Sequence, residues 1–300
     1  MEFRVLQYFL AVAREQSISG AAEVLHLSQP TLSRQLKDLE EELGKQLFIR
    51  GNRKITLTEE GMLLRKRAEE ITELMRKTES EIAQSEDTIA GDITIGAAEA
   101  RPVRFLVQIA RTLQSQYPLI RLHVISGDRT AVMEHLSKGL IDFALLHGDV
   151  DSAQFESRPV PFQHIWGILM RKDSPLAEKE AVTEEDLYGQ PMILSRQIYQ
   201  SPDFQESLKN GGRSINVVAT YNLLYNGSLM VEEGMGYALC FDQLINTTGN
   251  SQLCFRPLVP ESQVGMSLIW KKYQVFSKAA QAFFAESKRN DIKTGIATFP

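Results

Sequence analysis

The stretch Ser28-Gln29-Pro30-Thr31-Leu32-Ser33-Arg34-Gln35-Leu36-Lys37-Asp38-Leu39-Glu40-Glu41-Glu42-Leu43 decides how the first sixty residues are read. Ser28 is placed to cap a helix, because its hydroxyl can accept a backbone N–H that the first turn leaves without a partner. Pro30 falls in that first turn, where a missing N–H costs nothing. Leu32, Leu36, Leu39 and Leu43 then repeat at +4, +3 and +4, one stripe of a helix. Gln29, Ser33 and Lys37 recur every four residues on the opposite side. The pattern predicts a helix with its leucines inward and a narrow polar face outward.

Upstream, Leu6, Phe9, Leu10 and Ala13 lie on one face of a first helix. Ala21, Ala22 and Leu25 face inward from a second, for which Ser19 is the expected cap. Downstream, Leu47–Ile49 and Lys54–Leu57 read as short strands about a Gly51-Asn52 turn. Two helices across a tight turn followed by a strand hairpin form a winged helix-turn-helix, whose second helix enters the DNA major groove. Gln29 can bond adenine through two contacts, Ser33 can bond several base edges, and Pro30 offers an apolar surface to a thymine methyl. Lys37 continues that face. Thr31 and Arg34 flank it and suit phosphates, which position a protein without reading sequence. Ser19 is counted with these DNA-facing residues, as are Arg50, Arg53 and Lys54, the basic cluster at the hairpin. A solvated helix face is the competing explanation for Gln29, Ser33 and Lys37 taken alone.

The net charge of −5 argues against a protein that binds nucleic acid with its whole surface. Residues 1–58 carry a balance of +1, residues 59–88 one of −4 and residues 89–300 one of −2. Nucleic-acid binding is therefore expected only in the first segment. That segment is followed by a charged helix on which Leu64, Ala68, Ile71, Met75, Thr78 and Ile82 form a heptad-like seam. Thr58 is its expected cap, with Glu59 and Glu60 near the positive end of the dipole. Thirty helical residues would make a rod of roughly 45 Å. Leu64, Ala68, Ile71, Met75 and Ile82 are the expected dimerisation residues. The alternative is a solvated spacer whose seam packs on its own chain.

From Gly91 the chain alternates strands and helices: strands near 92–96, 122–125 and 141–146, helices over 102–116 and 128–138. That βαβαβ order implies a parallel sheet. Further strands are expected at 165–170, 191–194, 215–219, 237–241 and 266–270, with helices at 202–209, 223–233 and 277–288. Ligands in such folds bind beyond the carboxyl ends of the strands. That rule selects Ala98, Glu99, Ala100 and Arg101, then Gly127 and Asp128, then His147, and from later strands Ser195, Arg196, Thr220 and Phe241. Arg101 and Arg196 would suit a carboxylate, so an organic anion is the expected small-molecule effector. Glu99 would repel such a ligand unless it pairs with Arg101.

The run Phe9-Leu10-Ala11-Val12-Ala13, the run from Ser17 to Leu36, the segment Leu39-Glu40-Glu41-Glu42-Leu43-Gly44-Lys45-Gln46-Leu47-Phe48-Ile49-Arg50 and the closing Leu57-Thr58-Glu59-Glu60-Gly61 together resemble the N-terminal domain of LysR-type transcriptional regulators. The segment order extends the resemblance over the whole chain. It implies an α+β multidomain protein: a winged helix-turn-helix over 1–58, a linker helix over 59–88, and an effector domain over 89–300 with two lobes like those of periplasmic binding proteins. Lobe one would be 91–161 plus 265–300 and lobe two 162–264. It implies groove contact for Gln29, Pro30, Ser33 and Arg34, an effector between the lobes, assembly as a homodimer or homotetramer on dyad-symmetric double-stranded DNA, and RNA polymerase as a further partner. Gly20 departs from the family pattern, which often has a larger, basic residue there. Glu99 departs too, where the family commonly has a small hydroxyl or apolar side chain.

Other classes find less support. The apolar runs are far shorter than the roughly 20 residues that span a bilayer, and no charged-then-apolar leader opens the chain, so a cytoplasmic protein is expected. Cys240 and Cys254 make no metal spacing and no disulfide framework. No phosphate-loop, zinc-protease or nucleophile-elbow motif occurs, and no enzyme, cofactor or metal is expected. The rival reading is a small-molecule-binding or transferase-like α/β protein whose N-terminal helical module serves only dimerisation.

Overall fold

The computed structural model describes residues 1–51, 54–83, 88–209, 215–261 and 263–294. The chain separates into two compact units, Met1–Ser85 and Glu86–Pro300.

The first unit contains α1 (Phe3–Glu15), α2 (Ile18–Val24), α3 (Gln29–Leu43), the hairpin β1 (Phe48–Arg50) and β2 (Ile55–Leu57), and α4 (Glu59–Ile82). Its core joins Phe9 and Val12 of α1, Ala21 and Ala22 of α2, and Leu32, Leu36 and Leu39 of α3, with Leu47, Phe48 and Ala68. The leucine stripe of α3 ends one turn earlier than its periodicity suggests. Leu43 is 40% exposed, because Gly44 turns the chain out of the helix in the left-handed region at φ 63°. The cap of α2 is Ser17 and not Ser19: the Ser17 hydroxyl accepts the Gly20 N–H at 3.2 Å, and the helix begins at Ile18, whose side chain packs on the core. The hairpin is offset by one residue from the expected strands, pairing Phe48 with Leu57 and Arg50 with Ile55. Leu47 stays out of the ladder because the Glu40 carboxylate takes its N–H at 2.6 Å, and that of Phe48 at 3.2 Å. The side chain of one α3 residue thus ties the start of the hairpin to α3.

Helix α4 has 24 residues, about 36 Å at 1.5 Å per residue. Thr58 caps it, accepting the Gly61 N–H at 2.9 Å. Gly61 is required by packing, since a Cβ there would lie 2.2 Å from the Leu47 carbonyl oxygen. The seam divides. Leu64 and Ala68 pack on the core of their own unit, whereas Ile71, Met75 and Ile82 are 42%, 41% and 79% exposed.

The second unit starts with β3 (Gly91–Ala97), α5 (Val103–Gln116), β4 (Ile120–Ser126), α6 (Arg129–Ser137) and β5 (Phe143–His147). The long β6 (Phe155–Arg171) leads to β7 (Val182–Thr183), β8 (Pro191–Ser195), α7 (Arg196–Tyr199), α8 (Pro202–Lys209), β9 (Asn216–Tyr221), α9 (Leu224–Glu232), β10 (Tyr237–Phe241) and β11 (Leu253–Val259). The unit closes with β12 (Gln263–Lys271) and α10 (Lys278–Thr294). The strand order is β4-β3-β5-β12-β6-β10-β8-β9. β3 is parallel to β4 and β5, and β8 is parallel to β9 and β10. These are two α/β halves, each with its own core under its helices: Ile93, Ile95, Phe105, Phe143 and Phe283 in the first, and Ile168, Val182, Met192 and Leu194 in the second.

The halves are joined by β6 and β12, which pair antiparallel along most of their length. β6 leaves β12 after Ile165 and pairs with β10 from Trp166 to Leu169. A strand of 17 residues replaces the short one expected at 165–170. Pro159 and Pro161 obscure it in the sequence, since proline cannot donate to a ladder. Here Pro159 lies against a register shift between Gly265 and Ser267.

Candidate nucleic-acid interface and ligand cleft

On α3, Gln29, Pro30, Thr31, Arg34 and Lys37 are exposed and Ser33 is half-buried. The polar side of the helix therefore faces away from the core of its unit. Ser28 accepts the Thr31 N–H at 3.3 Å, and its hydroxyl lies 2.7 Å from that of Thr31. The cap orders the first turn, from which Gln29 and Pro30 project. Ser19 donates to the Gln29 side-chain carbonyl at 3.3 Å, so the exposed ends of α2 and α3 are linked through Gln29. Lys37 pairs with Glu41 at 3.1 Å, and Arg34 lies 4.0 Å from Asp38. Both pairs are exposed and weak, and a phosphate can displace them. Lys54 sits exposed at the foot of the wing, where its carbonyl accepts the Gly51 N–H at 3.0 Å. Arg50 ends β1; Arg53, expected at the wing tip, lies outside the described residues. Glu40 is the supporting residue that periodicity missed, because an acid on a helix gives no sign in sequence of a backbone partner seven residues on.

In the second unit the carboxyl ends of six strands converge on a cavity of about 220 Å³. Ala98, Glu99 and Ala100 follow β3, and Gly127 and Asp128 follow β4. His147 ends β5, while Ser195, Arg196 and Phe241 come from the other half. Two of the expected residues are placed elsewhere. Arg101 lines the adjoining groove along α5 and donates to the Gln243 side chain. Thr220 faces out: β9 runs two residues beyond its expected end, and strand alternation turns exposed Thr220 away and buried Tyr221 in. Trp166, Tyr221, Leu244 and Met266 also line the cavity, and none was singled out from the sequence. Tyr221 donates its hydroxyl to the Leu239 carbonyl at 2.8 Å, which fixes the ring.

The two halves touch across this cavity at named points. Arg196 donates to Asp128 at 3.0 Å, and the Arg101–Gln243 bond spans the other side. Between them Phe241 centres an aromatic cluster, stacked on His164 at 5.1 Å between centroids, tilted against Trp166 at 4.0 Å and edge-to-face with His147 at 5.7 Å. His164 is buried in the crossing strand and meets Asp242 at 3.1 Å through Nδ1. The Ala131 N–H, with Arg196 adding to it, holds the Asp128 carboxyl below the usual carboxylate range. Burial, with Arg129 and His164 nearby, pushes His147 down from the usual histidine range. The Cys240 thiol is buried in the cavity wall and pushed up to about 12 by that burial. Burial raises Cys254 as well.

A winged helix-turn-helix unit and a two-lobed α/β unit with a cleft at its strand ends define a bacterial regulatory protein. Two family signatures match: the bacterial regulatory helix-turn-helix protein of the lysR family over residues 3–62, and the LysR substrate binding domain over residues 86–291. The chain belongs to the LysR family. It is 29% identical over 280 residues to the Hca operon transcriptional activator HcaR of Escherichia coli (strain K12), covering 91% of this chain and 92% of that one. It is 30% identical over 203 residues to the HTH-type transcriptional regulator BsdA of Bacillus subtilis (strain 168), covering 66% and 68%. A hydrogen peroxide-inducible genes activator of Pectobacterium carotovorum subsp. carotovorum is 29% identical over 194 residues, and the match spans 64% of its length. Among solved structures, full-length CbnR complexed with its target DNA superposes with a TM-score of 0.74 at 20% identity, over 96% of this chain and 99% of that one. At that identity the likeness is one of fold.

Proposed function

We propose that the protein is a sequence-specific DNA-binding transcriptional regulator controlled by a small molecule held between the two α/β lobes. The observation that carries this reading is the exposed face of α3: a capped first turn presents Gln29, Pro30, Thr31 and Arg34 while three leucines lock the other face into the core. Gln29 and Ser33 read base edges, with Pro30 against a thymine methyl. Thr31, Arg34, Lys37 and Lys54 hold phosphates, as do Arg50 and Arg53, and Ser19 steadies Gln29. The exposed part of the α4 seam, from Ile71 onward, pairs two chains so that two such helices reach successive major grooves. Effector binding changes the angle between the lobes, and the changed geometry of the assembled subunits is read out on DNA. A ligand drives that change only by its differential affinity for the two lobe arrangements. The exposed polar face of α3 favours this reading over a helical module used for dimerisation alone.

Duplex binding measured against salt tests the reading. Affinity for a dyad-symmetric site should fall steeply as salt rises, since each neutralised phosphate releases counterions. A protein whose N-terminal module serves only dimerisation shows no duplex binding even at low salt.

Peroxide sensing through thiols, which the name of one relative brings to mind, finds no support in this chain. Both thiols are buried and protonated, and only a thiolate reacts readily. Cys240 pairs with Gly167 on one side of β6 and Cys254 with Met170 on the other. Two strand spacings, about 9.5 Å, plus an offset of three residues put them beyond disulfide reach.

A further inference from the structure

We propose that the cleft takes a single-ring aromatic effector bearing a protonated amine, and that Glu99 selects the charge of that effector. The proposal rests on the cleft being the effector site, and it departs from the organic anion that the arginines suggest in the sequence.

Size and wall chemistry give the ring. A dry cavity of about 150 Å³ lined by apolar side chains holds benzene; this one is about 220 Å³, room for a ring and a short substituent. Trp166, Tyr221 and Phe241 form its aromatic walls, and Leu244 and Met266 add apolar surface. Aromatic faces attract ring edges and cations alike.

The balance of charge gives the amine. Four lining residues besides the thiol and the phenol can ionise: Glu99, Asp128, His147 and Arg196. Asp128 and Arg196 cancel each other across the cleft at 3.0 Å. Burial pushes His147 down from the usual histidine range, toward its neutral form. Arg101 and Arg104 line the neighbouring groove that Glu99 also borders, where Arg101 donates to the neutral Gln243 side chain; among the described residues neither makes an ion pair with Glu99. Glu99 has no ion pair or hydrogen bond among the described residues, and it borders both the cavity and that groove. A carboxylate entering the cleft meets the unpaired Glu99 carboxylate and finds the Arg196 guanidinium bonded to Asp128. An ammonium meets a free carboxylate and aromatic faces, with no bond to break first.

Three near-isosteric probes test the assignment on the full-length protein by calorimetry: phenethylamine, phenethyl alcohol and phenylacetate. The amine should bind at least about tenfold more tightly than the acid, with the alcohol between them. Glu99→Gln should bring amine and alcohol within about threefold of each other, and Glu99→Lys should reverse the order of amine and acid. Arg196→Gln should leave the wild-type order intact. Phenylacetate binding tightest, and losing its affinity in Arg196→Gln, would overturn the proposal while leaving the cleft as the site. Failure of all three probes to bind at millimolar concentration would overturn the ring assignment. For any probe that binds wild type, Ala100→Trp, which adds bulk at a residue lining both the cavity and the groove, tests the cleft itself. If the probes bind this folded variant as they bind wild type, the effector does not occupy the cleft.

Discussion

Individual residues carry the most local expectations. Of the residues proposed to face DNA from α3, only Gln29 is suited to bidentate recognition of adenine, and its side chain is steadied by Ser19. Gln29→Ala is expected to relax base preference at one position, costing about 1–3 kcal/mol there; a base-substitution series in a binding assay reads it. Equal weakening on every sequence would make Gln29 a backbone contact. Gly61 and Gly20 should respond oppositely to alanine. A Cβ at Gly61 collides with the Leu47 carbonyl, so Gly61→Ala should destabilise the N-terminal unit by about 1–3 kcal/mol or more. A Cβ at Gly20 meets nothing closer than Ser17 at 3.6 Å, so Gly20→Ala should stabilise α2 by about 0.5–1 kcal/mol. Thermal melts of the two variants check both signs. His147 gives a pH dependence. Its folded pKa is depressed by burial, so its contribution to stability is complete above the unfolded value of about 6.5 and is lost as pH falls below it. The unfolding midpoint of the effector unit should drop on that acid limb, and His147→Gln should flatten it.

At the level of the helix, strand and hairpin, the regular periods were legible and the interruptions were not. Leu32, Leu36 and Leu39 announced α3 because one helix packs one stripe, and Ser28 and Thr58 announced helix starts because an unpaired N–H needs an oxygen. The hairpin offset came from Glu40, whose long-range bonds to Leu47 and Phe48 no local pattern records. The first part of the crossing strand β6 was hidden by Pro159 and Pro161; Trp166 lay in the strand expected at 165–170, but its place in the cavity wall depends on β6 leaving β12 for β10 at that residue. Strand-end reasoning reached nine residues of the cleft wall; it failed at Arg101, which lines the neighbouring groove, and at Thr220, because parity depends on where a strand stops. The α4 seam also divides by element. Leu64 and Ala68 belong to the fold of the N-terminal unit, so replacing them would test folding. Ile71 and Met75 are exposed. The double variant Ile71→Asp, Met75→Asp should remain folded, sediment as a smaller species and bind a dyad-symmetric site far more weakly than wild type. A retained dimer with unchanged binding would assign pairing to another surface.

For the whole molecule, net charge and site charge point in different directions, and the division of the chain reconciles them. An overall charge of −5 would repel DNA from most of the surface, while Arg34, Lys37 and Lys54 stand exposed on one small unit. That distribution favours binding in a single orientation. Hydrogen peroxide at concentrations that oxidise exposed thiols should leave DNA affinity unchanged, because Cys240 and Cys254 are buried and protonated; a peroxide-dependent shift would place a reactive thiol where the fold shows none.

The most direct test of the account is fluorescence anisotropy of the full chain on a dyad-symmetric duplex and on a scrambled control, titrated over salt, for wild type and Gln29→Ala. The account predicts tight, steeply salt-dependent binding of wild type with preference for the symmetric duplex, and a loss of preference in the variant with its salt slope retained. Absence of duplex binding by wild type at low salt, or equal affinity for both duplexes in both proteins, would contradict it.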